Sequence, residues 1–152
     1  MKRIGRNAIL LLLCLVMTAG LMPLGADAAD GDVEINETNF PDEVFREYIG
    51  RDIDRDRNGV LSEDEINETE IIDVTAVSLA ADYVSDLKGI EFFTNLNTLL
   101  CRGPNIWGDS GTGLSTLDIS QNLKLEFLSC ECNILTDLDV SHNTALDRKS
   151  VV

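Results

Sequence analysis

The residues Asp54-Arg55-Asp56-Arg57-Asn58-Gly59-Val60-Leu61-Ser62-Glu63-Asp64-Glu65 carry oxygen donors at a spacing suited to a hard divalent cation. They meet the calcium-loop template D-x-[DN]-x-[DN]-G-x5-E at every defined position. Ca²⁺ takes roughly six to eight oxygen ligands. Asp54, Asp56 and Asn58 stand at positions 1, 3 and 5, where a tight turn can point their oxygens inward. Gly59 allows the sharp bend at position 6. Val60 offers its backbone carbonyl at position 7, and Ser62 acts directly or through a water at position 9. Glu65 closes the site with both oxygens at position 12. Leu61 is the apolar residue that tacks the loop to a core. A metal-free alternative exists, because Asp, Asn and Gly cluster in ordinary turns. Ser62-x-x-Glu65 is also a capping box, which starts a helix without an ion.

Two helices must hold this loop. Phe40–Ile53 reads as the entering helix, with Pro41 at its first position and Asp42 and Glu43 complementing its dipole. Val44, Phe45, Tyr48 and Ile49 recur at helical spacing and form one apolar face. Gly50 stands four residues before Asp54, where an apolar residue is expected. The exiting helix starts at Ser62 and fades near Thr69. Residues 40–70 thus form a calcium-binding cap, and residues 29–39 read as a polar linker.

The N-terminus has the pattern of a secretory signal. Lys2, Arg3 and Arg6 precede an apolar run, Ile9 to Met17, and Ala26-Asp27-Ala28 supplies a small-x-small cleavage site. The run is shorter than the ~18 residues of a membrane span. No membrane span is expected after cleavage. The formal charge is −15. Removing residues 1–28, with three basic groups and one acid, leaves −17 on 124 residues. So acidic a surface argues against nucleic acid as a partner.

Residues 71–146 are repetitive. Leu125-x-x-Leu128-x-Cys130-x-x-Asn133 is followed by Leu135-x-x-Leu138-x-Val140-x-x-Asn143. Leu114-x-x-Leu117-x-Ile119-x-x-Asn122 precedes them, and Leu96-x-x-Leu99-x-Cys101 is closed one residue late by Asn105. Two half-units give a 21-residue period, within the leucine-rich-repeat range. Alternation along a strand turns Leu128 and Cys130 to the same side. The asparagines read as scaffold that bonds the backbone of neighbouring coils. Ile71 to Leu96 reads as the entry coil, covered at its open apolar end by the helical cap.

Together these motifs resemble secreted bacterial leucine-rich-repeat surface proteins, loosely similar to internalins. The matching residues are Phe40-Pro41-Asp42, Phe45, Leu117-Asp118-Ile119-Ser120, Leu138-Asp139-Val140-Ser141, Cys101 and Cys130. The loop resembles that of an EF-hand. The expected fold is therefore α+β: an EF-hand-like cap followed by a leucine-rich-repeat solenoid. The resemblance implies a secreted or cell-surface binding and adhesion module, with a protein or glycan ligand and no enzyme activity. Alternatives are the accessory region of a larger surface enzyme, or a dockerin-like docking module. A dockerin carries two such loops, and one is seen here.

The remaining features weigh little. Cys101 and Cys130 occupy the same inward position in successive coils and read as buried thiols, a disulfide being the lesser alternative. Cys132 is the odd thiol. His142 has no partner at catalytic spacing. Trp107 lies in an insertion that interrupts the repeat between Asn105 and Leu114, either as a binding anchor or tucked over the coil. Residues 147–152 depart from the repeat and read as a truncated or non-native tail.

Overall fold

The computed structural model describes residues 31–75, 83–104 and 113–147. The stretch 1–28 expected as a signal sequence, Asn105, Trp107 and the tail from 148 onward lie outside the described residues. Among the described residues no helix is long and apolar enough to cross a membrane.

The described residues open with β1 (Val33–Glu34), then α1 (Glu43–Tyr48), a π turn (Ile49–Ile53), β2 (Val60–Leu61) and α2 (Glu63–Glu68). Within the stretch 29–39 expected as linker, β1 pairs antiparallel with β2, Val33 opposite Leu61 and Glu34 opposite Val60. Val33 and Ile35 pack against the core, which is what a free linker lacks.

The entering helix also differs from expectation. Asp42, not Pro41, begins it: Asp42 Oδ1 accepts from the Phe45 amide at 2.9 Å. A carboxylate at the N-cap satisfies an amide that the helix itself leaves free. The last turn widens, so that the Asp54 amide donates to the Ile49 carbonyl, five residues back. That extra residue explains Gly50. Ile49, fully buried, fills the place that a regular helix would have given to Gly50.

Three parallel strands follow, β3 (Ile71–Asp73), β4 (Thr98–Leu100) and β5 (Phe127–Ser129), in the order β3-β4-β5. Ile72, Leu99 and Leu128 stand in register and are all fully buried. Their neighbours on either side face outward, as the two-residue pleat requires.

Between strands the chain turns on asparagine. Asn122 Nδ2 donates to the carbonyls of Ile90 and Phe93 in the preceding coil, both at 2.9 Å. One coil on, Asn143 Nδ2 donates to Ile119 and Asn122 at 2.9 Å. Asn133 Nδ2 donates to Cys101 and Cys130 at 2.8 Å, and its Oδ1 accepts from the Leu114 amide. Each coil thereby closes its own turn on the backbone of its neighbour.

One apolar core runs from Phe40 through Phe45, Ile72, Phe93 and Leu99 to Leu128 and Cys130. The helical unit is thus continuous with the coils. Asp42 reinforces the joint: while Oδ1 caps α1, Oδ2 accepts from the Ser85 amide and hydroxyl, both at 2.8 Å. The Asp73 amide donates to the Tyr48 hydroxyl at 3.2 Å. Gly89, at φ +104°, lies so close to Phe40 that a Cβ there would stand 2.3 Å from the ring.

Candidate metal centre

The loop between the π turn and β2 brings Asp54, Asp56 and Glu65 together. One carboxylate oxygen from each lies within 4.8 Å of the others. Asp54 is 2% exposed and Glu65 7%, whereas Asp56 is open to solvent. Burial of two carboxylates side by side is costly unless donors or a cation compensate.

Amide groups compensate in part. Asp54 accepts from the Asn58 amide at 3.2 Å and from the Gly59 amide at 2.9 Å. Asp56 accepts from the Asn58 amide and side-chain nitrogen. Asn58 Oδ1 accepts from the Val60 amide at 2.7 Å. Gly59 takes φ +83°, a conformation that a side chain would strain. Arg57 takes φ +58° just before the turn. The Arg55 guanidinium turns outward to Glu68 at 2.6 Å.

Glu65 does two jobs. Its Oε1 accepts from the Arg55 amide at 2.8 Å and ties α2 to the loop. Its Oε2 accepts from the Ser62 amide and hydroxyl, at 2.9 and 2.8 Å. With the Ser62 hydroxyl accepting from the Glu65 amide, a full capping box is formed. Burial acts to raise the Glu65 pKa, but the bonds from Ser62 and Arg55 outweigh it and hold the carboxyl below its ordinary value. Glu65 therefore stays ionised at neutral pH.

All six residues singled out by the loop spacing thus lie on one short segment. Asp54, Asp56 and Glu65 converge, Asn58 and Ser62 brace them, and Val60 belongs to β2. A hard cation fits this donor set: three carboxylates with oxygens close together, two of them buried. β1 lies where no strand was expected, although Val33-x-Ile35 has the alternation of one.

The other candidates have scaffold surroundings. Cys101 and Cys130 are buried free thiols and Cys132 is exposed. Burial, and secondarily Cys130, pushes the Cys101 thiol up. Burial likewise raises Cys130. His142 Nδ1 lies 3.2 Å from the hydroxyl of the neighbouring Ser141. Asp118 and Asp139 each accept from the amide two residues on, Ser120 and Ser141, and so form turns.

Parallel strands in register, inward leucines and asparagines bonded to the neighbouring coil define a leucine-rich-repeat fold. Its likeness among solved structures is to internalins. The functional domain of InlJ from Listeria monocytogenes, which includes a cysteine ladder, matches with a TM-score of 0.58 and 27% sequence identity, covering 78% of this chain and 23% of that one. An internalin C2 from the same species matches with a TM-score of 0.47 and 14% identity, covering 80% of this chain and 58% of that one. The chain thus spans less than two thirds of the length of either. No protein-family model matches the sequence, and no curated protein matches it. The fold is internalin-like.

Proposed function

We propose that this chain is a non-catalytic binding module of the bacterial cell exterior. It presents a protein or glycan ligand with a leucine-rich-repeat solenoid whose first coil is covered by an EF-hand-like cap. One Ca²⁺ in the cap is held by Asp54, Asp56, Asn58, the Val60 carbonyl, Ser62 and Glu65. When bound, the ion supplies the positive charge that three clustered carboxylates lack. The protein residues orient the loop and join it to β3.

The observation that supports a binding role is the outward row of the parallel sheet. Ile71, Thr98 and Phe127 stand in register across β3, β4 and β5. Ile71 is 59% exposed and Phe127 39%, on a face whose inward partners are fully buried. Two exposed apolar side chains flanking Thr98 on a rigid sheet offer a surface to which a partner can dock at low entropic cost.

The test is binding to arrays of extracellular proteins and glycans, with Ile71→Asp and Phe127→Asp as probes. Both positions are outward, so the far-UV spectrum should be unchanged while binding weakens at least about tenfold. Undiminished binding by both variants would remove the sheet face from the proposal.

A further inference from the structure

We infer that residues 31–39 form a latch whose docking on the loop and calcium binding at Asp54–Glu65 are one coupled equilibrium. The inference rests on the calcium reading above and concerns how that site is regulated.

The geometry lies in the register of β1 on β2. The Ile35 amide donates to the Gly59 carbonyl at 3.0 Å, and Glu34 stands opposite Val60. In an antiparallel pair, a bond from Ile35 to Gly59 makes Glu34 and Val60 a non-hydrogen-bonded pair. The amide and carbonyl of Val60 therefore point away from β1, toward the loop. The amide is already engaged there, by Asn58 Oδ1 at 2.7 Å. The carbonyl is the one proposed as a ligand. Docking β1 thus fixes the peptide groups on either side of Val60 and aims its carbonyl into the site. The Gly59 amide, in turn, donates to Asp54 Oδ2. The same two residues face the latch on one side and the carboxylates on the other.

The latch also reaches the coils. Asn36 Oδ1 accepts from the Thr38 and Asn39 amides, and Asn39 Nδ2 donates to the Glu34 carbonyl. These bonds make 34–39 a compact turn rather than a tether. Lys88 Nζ donates to the Thr38 carbonyl at 3.0 Å, and Phe40 closes the segment fully buried. A β1 held by the loaded loop therefore holds the first coil too. Because coupling between two binding events is reciprocal, loss of the latch must weaken calcium binding by the factor with which calcium tightens the latch.

The test uses the full chain. Amide exchange at Ile35 is measured without calcium and at 10 mM calcium, alongside calorimetric titration of wild type, Asp54→Asn and Ile35→Pro. Proline removes the amide that bonds Gly59. Ile35 exchange should slow about tenfold or more with calcium, and Ile35→Pro should bind calcium about fivefold or more weakly. Calcium binding by wild type with unchanged Ile35 exchange and an unchanged Ile35→Pro affinity overturns the latch and leaves the calcium reading standing. No difference between wild type and Asp54→Asn overturns both. Should Ile35→Pro fail to fold, exchange at Ile35 in wild type decides the matter alone.

Discussion

Replacing Asn122 by alanine should cost about 2–3 kcal/mol of stability. The side chain is fully buried and its Nδ2 makes two bonds of 2.9 Å across the coil boundary, to the Ile90 and Phe93 carbonyls. Two hydrogen bonds contribute about 1 kcal/mol each net, and stranding buried acceptors adds to the loss. That addition is partial here. The Ile90 carbonyl keeps the Phe93 amide and the Phe93 carbonyl keeps the Leu96 amide, both at 3.1 Å. Urea unfolding followed by far-UV circular dichroism is the assay. With a slope of about 1–3 kcal/mol per molar urea, the midpoint should fall by about 1 M or more. Asn95→Ala is the control: its Nδ2 donates to the Asn67 carbonyl and its Oδ1 accepts from Lys124 Nζ, both at exposed sites, and its effect should stay within about 0.5 kcal/mol. Equal, small shifts for the two variants would refute the asparagine scaffold.

Three more outcomes are expected. Gly103→Ala should destabilise by more than about 2 kcal/mol, measured by the same unfolding assay, because its Cβ would stand 2.1 Å from the Cys132 backbone oxygen. Without calcium, thermal stability should decline as pH falls from about 5 toward 3, and less steeply in Glu65→Gln; the folded Glu65 pKa lies below its ordinary value, so its contribution is present above that value and is lost as pH falls through the folded pKa. In the native protein, iodoacetamide at pH 8 should label Cys132 well before Cys101 and Cys130, with mass spectrometry of the peptides reading the order.

The metal loop could be read from the sequence because its donors are neighbours in the chain. The repeat could be read because Leu, Cys and Asn recur at fixed offsets, and the offset alone places Asn143 over Asn122. What escaped was set by contacts distant in sequence. Asp42 shows only a helix-start signal locally, yet its second oxygen binds Ser85, 43 residues on. β1 is two residues in a polar stretch, and its partner β2 lies beyond α1 and the π turn, so the short Val33-x-Ile35 alternation does not mark it by itself. The π turn left Gly50 as an apparent departure; only the bond from Asp54 to Ile49 reveals that the helix holds one residue more than its spacing implied. The close approach of Gly103 to Cys132 likewise depends on how two coils stack.

Calcium titration by calorimetry, with Glu65→Gln beside wild type, tests the central claim most directly. Glutamine can still serve in the capping box, so α2 should remain while the closing charge is lost. Three charged ligands and adjacent arginines place the expected dissociation constant on the order of 10⁻⁴ to 10⁻³ M. At millimolar calcium this stabilises wild type by roughly 0.4–1.4 kcal/mol. Saturable heats are expected in wild type and none in Glu65→Gln. Identical titrations, with melting insensitive to calcium in both, would contradict it and reduce the loop to a capped turn.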